Sequence, residues 1–382
     1  MKKLFDVQVD RKNSSVIKWD FQSDKNSLPF WIADSDYPTA PCVSKELEDV
    51  AKIKAYGYNE IPDEFYQSVS NWYLKRYNSK VEKDWIVPAT GVVLEIRILL
   101  DAITKENDGI ILQTPVYHAF HHLINGMNRK IIENKLIRKN NHYSMDLENL
   151  EVLFKEGYKV MILCSPHNPV GRIWDKNEIE NVINLAKKYN VFVIIDEIHS
   201  DLNISNKKFV SGINFENIYN SIAVCNAPSK AFNLAGLGVS YIIIPNQKIR
   251  ELYQNQVKRE FLNSPTVFGY RAMISAYNDG DKWIDAQNEY LLSNYNYLKE
   301  YLNKELEDVI ISNMEGTYLV WLDFSYTNLK TNELLKRCNE SGLTVSGGVD
   351  FCKDYESFIR FNIACPLSQL KEGLERLVKA FK

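Results

Sequence analysis

Lys230 sits in the run Asn226-Ala227-Pro228-Ser229-Lys230-Ala231-Phe232-Asn233-Leu234-Ala235-Gly236-Leu237-Gly238, which follows an apolar, strand-like segment at 222–225. A lysine at a strand end is partly desolvated, which lowers its pKa and leaves a free amine able to condense with an aldehyde. Most lysines are solvated surface charges, so the reading depends on company. Asp196 closes a second apolar run, 191–195, and is a candidate partner for a protonated ring nitrogen. Asn168 follows a third run, 160–164, in a loop stiffened by Pro166, Pro169 and Gly171, where its amide can reach a ring oxygen. Arg360 lies between apolar residues on a short strand; an unpaired guanidinium is costly there, so it needs an anion, either an internal carboxylate or a ligand.

These residues require a particular scaffold. In open α/β sheets the carboxyl ends of parallel strands line the ligand crevice, and all three apolar runs deliver polar groups at their C-terminal ends. Strand and helix patterns alternate: helices over 44–54, 63–77, 94–104, 146–156 and 175–189, strands over 109–112, 160–164, 191–196, 222–225 and 239–244. This predicts an α/β fold with a mostly parallel sheet covered by helices on both faces. Gly91 opens the helix at 94–104, and a glycine turn there offers unpaired N–H groups, including those of Val92 and Val93, to a phosphate. After a helical region at 248–307, short strands at 309–312, 318–322, 343–346 and 358–362 with helices at 331–341 and 367–381 predict a smaller α+β domain. The expected division is an arm over 1–45 that belongs with the small domain, a large domain over 46–280 and a small C-terminal domain over 281–382.

Asn-Pro-Val-Gly at 168–171, Asp-Glu-Ile-His at 196–199, Ser229-Lys230 and Arg-Phe-Asn at 360–362, in this order, resemble the fold-type I pyridoxal-phosphate enzymes of the class I/II aminotransferase superfamily. The stretch Trp31 to Pro41, the histidine at 199 and Ala-Pro-Ser-Lys-Ala-Phe-Asn-Leu-Ala-Gly-Leu at 227–237 resemble its carbon–sulfur lyase, or cystathionine β-lyase, branch. The resemblance spans essentially the whole chain. It implies pyridoxal 5′-phosphate carried on Lys230, with Asp196 at the ring nitrogen, Asn168 at the ring oxygen, Tyr117 stacked on the ring and His199 where aminotransferases carry a tyrosine. It further implies a phosphate held by Gly91, Val92, Val93 and Ser229, a substrate carboxylate held by Arg360 and main chain near Ala33, and a homodimer whose Tyr58 reaches the neighbouring subunit's cofactor.

The implied reaction is β-elimination from L-cystathionine or a related cysteine S-conjugate, giving a thiol, pyruvate and ammonia. Transamination uses the same lysine and is the alternative; a regulatory protein that keeps the fold and acts through a protein partner is a third reading. Two departures from the aminotransferase pattern favour the lyase branch: Ala227 replaces a common phosphate-binding serine, and Gly238 a common arginine.

Composition excludes other classes. With 46 Lys+Arg against 49 Asp+Glu the net charge is −3, which gives no reason to expect nucleic acid or an anionic membrane. The N-terminal residues lack the apolar core of a signal peptide, and no run of about 18 apolar residues exists to span a bilayer, so a cytoplasmic protein is expected. Neither a dinucleotide-type nor a P-loop glycine motif is present. The six cysteines are scattered, so no disulfide or structural metal is expected. His118, His121 and His122 share a helical face at metal-like spacing, but no carboxylate or cysteine pattern joins them, and packing is the expected role.

Overall fold

The computed structural model describes every residue except Met1, Ser23, Lys25 and Asn263. Its centre is a seven-stranded sheet: β1 Ile86–Ala89, β2 Gly109–Leu112, β3 Lys130–Glu133, β4 Val160–Cys164, β5 Phe192–Asp196, β6 Ile222–Asn226 and β7 Ser240–Ile243, in the spatial order β1-β7-β6-β5-β4-β2-β3. Six strands run parallel and β7 is antiparallel to both neighbours. Strands β4, β5 and β6 are buried along their whole length, which is why they read as unbroken apolar runs rather than alternating ones. Successive residues feed different cores. Met161, Leu163, Val193, Ile195 and Val224 pack on one face, while Ile162, Ile194, Ala223 and Cys225 pack on the other with the helix Val92–Ile103.

Register sets the site. Cys164 pairs with Asp196, and Asp196 with Cys225, so β4, β5 and β6 end in one row. A buried polar network fixes this row. The Glu197 carboxylate accepts from the Gly212 N–H at 2.7 Å, from Ser211 Oγ and from Tyr73 OH at 3.4 Å on the helix Asp63–Tyr77. Asn226 donates to Tyr73 OH and Ser200 Oγ. Burial raises the Glu197 pKa to about 8, against the hydrogen bonds from Gly212, Ser211 and Tyr73.

A four-stranded antiparallel sheet follows: β8 Ile310–Ile311, β9 Leu319–Asp323, β10 Ser346–Gly347 and β11 Phe358–Asn362, ordered β8-β9-β11-β10. The N-terminal arm joins it, with Leu28 and Pro29 pairing parallel to Leu343 and Thr344. The helical region expected at 248–307 is three helices, Gln247–Arg259, Val267–Asp279 and Asp281–Glu305. The arm also forms short helices at Lys2–Phe5 and Ile17–Asp20. It is anchored by a buried charge cluster: Lys18 Nζ lies 2.7 Å from Asp36 and 3.2 Å from Asp34, and Arg11 reaches both carboxylates. The loop after β4 is tied to the second sheet by Arg172, which bonds Glu178 at 2.7 Å and Glu315 at 3.1 Å. Gly171, at φ +74°, brings that loop against Met314, where a side chain would collide. Among the described residues no helix is long and apolar enough to cross a membrane.

Candidate active site

At the C-terminal ends of β4, β5 and β6 lies a cavity of about 240 Å³. Ala33, Gly91, Val92, Val93, Tyr117, Asn168, Asp196, His199, Ser229 and Lys230 all line it. The chain therefore brings to one place ten residues that the sequence scatters over about 200 positions. Arg360 joins them from β11, its guanidinium 3.3 Å from Asn168 Oδ1 and 2.7 Å from the Trp31 carbonyl. Tyr58 does not join them within one chain; it stands fully exposed on the surface.

Lys230 Nζ donates to the Ala33 carbonyl at 2.8 Å, and Tyr318 OH donates to the same oxygen at 3.0 Å. Burial draws the amine's pKa down to about 8; Asp34 and Asp196 pull it up, and Arg360 pushes it down. The amine is thus poised between cation and nucleophile near neutral pH. Asp196 is buried, and that burial raises its pKa to about 6 against the Ile198 N–H at 3.0 Å and the charge of Lys230. A carboxylate so desolvated gains most from a cationic N–H partner. Burial, with Lys230 and Arg360, holds His199 well below the ordinary imidazole range, so the ring is neutral; its Nδ1 is buried without a hydrogen-bond partner.

Arg360 is buried on β11. Among the described residues it forms no ion pair; it bonds a carbonyl, an amide oxygen and Ser346 Oγ, and its Nε has no partner. Burial lowers its pKa to about 10. A buried cation of this kind is costly unless an anion pairs with it.

The cavity fits pyridoxal 5′-phosphate. The helix Val92–Ile103 starts at Gly91 and points its N-terminus at the cavity, with Thr90, Ser229 and Gly238 beside it, a cup for a phosphate. A Cβ on Gly91 would meet nothing within 4 Å, so the glycine is not needed for space there. Asp196, which also lines the cavity, suits a ring N–H, and Asn168 a ring oxygen. Ala227 and Gly238, the two departures from the aminotransferase pattern, both line the cavity.

Sequence reasoning missed several neighbours. Asp34 lies within the arm motif yet was given no role, and it is the strongest charge acting on Lys230. Tyr318 is a single tyrosine before a strand, with no spacing to mark it. Glu95, one turn into the phosphate-cup helix, is fully buried and burial raises its pKa to about 8; an acidic residue in a helical first turn reads as an ordinary solvated one. The three histidines fall on the helix His118–Gly126, with His118 packed edge-on between Tyr117 and Phe351.

The sequence matches the family described as aminotransferase class I and II over residues 28–377. The chain belongs to this family. Among the relatives of this chain, cystathionine beta-lyase PatB of Bacillus subtilis is 32% identical over 383 residues, covering 98% of this chain and 99% of that protein. The structure of cystalysin from Treponema denticola, which contains a pyridoxal 5′-phosphate cofactor, matches with a TM-score of 0.95 at 31% identity over 98% of both chains. The pyridoxal-phosphate-bound C–S lyase of Staphylococcus hominis matches at 0.92 with 28% identity, over 98% of this chain and 97% of that one.

Proposed function

We propose that this protein is a pyridoxal 5′-phosphate-dependent carbon–sulfur β-lyase that cleaves L-cystathionine or a related cysteine S-conjugate to a thiol, pyruvate and ammonia. The observation that carries it is a desolvated lysine amine in the cavity whose charge is felt by a nearby buried guanidinium, Arg360, that forms no ion pair among the described residues. Full-length likeness to proteins named for this activity supports the same reading.

When bound, the cofactor supplies an electron sink for the charge left as Cα loses its proton. The chain supplies position and protons. Arg360 clamps the substrate α-carboxylate with paired N–H groups, next to main chain around Ala33. Asp196 would hold a proton on the ring nitrogen. Asn168 donates to the ring oxygen, Tyr117 holds the ring flat, and His199 closes the wall beside Tyr318, 6.0 Å from its ring. Gly91, Val92 and Val93 offer backbone N–H groups to the phosphate and Ser229 its hydroxyl. Lys230 would carry the cofactor and, as a base, would take the Cα proton of a bound amino acid.

The active unit is a homodimer in which Tyr58 of each subunit reaches the other's phosphate; its complete exposure in the single chain suits that role. We read the large domain as 46–280 and the small one as 281–382 with the arm, 1–45. The cysteines are all unbridged, which suits a reducing cytoplasm. Replacing Lys230 with Ala tests the assignment: pyruvate release should vanish while the fold persists by circular dichroism, and undiminished release would remove the lysine from the reaction.

A further inference from the structure

A carboxyl without a counter-ion stands behind the phosphate cup. Glu95 lies one turn into the helix Val92–Ile103, its own N–H donating to the Gly91 carbonyl at 3.0 Å. Its side chain is fully buried, and neither carboxyl oxygen has a hydrogen-bond partner among the described residues. Ser240 on β7 and Cys225 on β6 bear on it from the sheet, and Asp196 on β5 adds a negative field. Its charge also reaches Tyr253, on the helix Gln247–Arg259, and Tyr277. Ser240 Oγ and Tyr253 OH are buried without partners too. No lysine, arginine or histidine is among the groups that act on Glu95. Burial with no cation favours the neutral acid and raises its pKa to about 8.

Register puts this cluster against the cup. Ser240 pairs with Ala89, so the strand that leads into Thr90 and Gly91 lies beside the strand that follows Gly238 and Val239. Thr90, Gly91, Gly238 and Val239 line the cavity, while Ser240 and Glu95 are fully buried behind them. A phosphate at Gly91 is therefore about one helical turn, roughly 5 Å along the axis, from the residue that carries this carboxyl. Inside the protein, two anions at such a separation repel far more than they would in water. An ionised Glu95 would also oppose the positive end of the helix dipole that the cup offers.

We propose that Glu95 is a positioning residue for the cofactor phosphate and works as a neutral acid: the cup takes the phosphate dianion well only while Glu95 keeps its proton. By linkage, phosphate in the cup tightens that proton in turn. Glu95 touches neither phosphate nor substrate; it acts through the helix N-terminus that it underlies. The inference rests on the reading of Gly91, Val92 and Val93 as the phosphate cup. It makes retention of the cofactor sensitive to alkaline pH at a residue outside the reaction itself.

The test measures the Kd of 4-deoxypyridoxine 5′-phosphate, which cannot condense with Lys230, for the cofactor-free full chain between pH 7 and pH 9. Wild type is compared with Glu95→Gln and with Glu95→Met, the second variant guarding against misfolding of the first. Lys230, Asp196 and the ligand titrate in all three proteins, so the ratio of wild-type to variant Kd isolates Glu95. At pH 7 the glutamine variant should bind as wild type does, since Gln keeps the shape of the neutral acid. By pH 9 the wild type should have lost about tenfold more affinity than either variant, one decade for each pH unit above the point where Glu95 ionises. A ratio that stays constant with pH would overturn the proposal. So would the same pH-dependent ratio for 4-deoxypyridoxine lacking the phosphate, because repulsion of phosphate would then not be the cause. Equal affinity for the two compounds in the wild type at pH 7 would instead overturn the phosphate cup, and the proposal with it.

Discussion

Replacing Arg360 with Met separates function from stability, because the two should move in opposite directions. The guanidinium is buried with no ion pair among the described residues, and burial lowers its pKa from the ordinary guanidinium range to about 10. At about 1.4 kcal/mol for each tenfold change, that displacement corresponds to a penalty of roughly 3 kcal/mol on the charged form. The sign follows from proton binding. The folded state holds its proton less tightly than the unfolded state, so the penalty is fully present at neutral pH and fades only as pH rises past about 10. Against it stand one good hydrogen bond, to the Trp31 carbonyl at 2.7 Å, and two long ones, to Asn168 and Ser346, together worth about 2 kcal/mol. Arg360→Met should therefore leave the cofactor-free protein as stable as before or up to about 1 kcal/mol more stable. Its kcat/KM should drop at least a hundredfold, since two charge-assisted bonds to a carboxylate contribute about 3 kcal/mol or more. Urea midpoints and steady-state pyruvate release measure the two effects. A loss of 2 kcal/mol or more in stability would mean that Arg360 serves the fold. A kcat/KM loss below tenfold would mean that it does not hold the substrate.

Lys18→Met removes one partner of a buried cluster and leaves Asp36 with Arg11 alone as cation; about 3 kcal/mol of stability should be lost by urea denaturation, and a loss below about 1 would show that the cluster does not anchor the arm. In cofactor-free protein, uptake of pyridoxal phosphate should accelerate with pH and level off near 8, because below that value Lys230 carries a proton and cannot attack; levelling only near 10.5 would show an unperturbed lysine. Tyr318→Phe deletes a donor to the Ala33 carbonyl while Lys230 still reaches it, so about 1 kcal/mol of stability should go, with most activity kept. Mixing inactive Lys230→Ala with Tyr58→Ala subunits should restore turnover in hybrid dimers if Tyr58 serves the neighbouring site, and no restoration would place Tyr58 outside it.

Much of the site was legible because its residues sit at strand ends. Asn168, Asp196 and Lys230 each follow an apolar run, and strands buried on both faces write such runs without alternation. Once those runs pair in parallel register, their final residues must share a row, so spacing in the chain becomes proximity in the fold. Arg360 was legible for another reason, as a charge inside an apolar strand. Lys18, Asp36 and Glu95 were not legible, since their burial depends on partners far away in sequence. Lys18 looks like any surface lysine until Gln369 and the arm close over Asp36. The arm's short helices escaped too, for a four-residue helix carries too little periodicity to register. The edge strand Lys130–Glu133 was also missed; being only half-buried, it lacks the continuous apolar run of the central strands.

The most direct test of the proposed β-elimination follows L-cystathionine in the purified holoenzyme without any oxo acid, with pyruvate and free thiol measured together. The expected result is equal release of both over many turnovers, independent of added oxo acid. A single turnover that stalls and resumes only when an oxo acid is supplied would contradict elimination and make this aminotransferase-family protein a working aminotransferase.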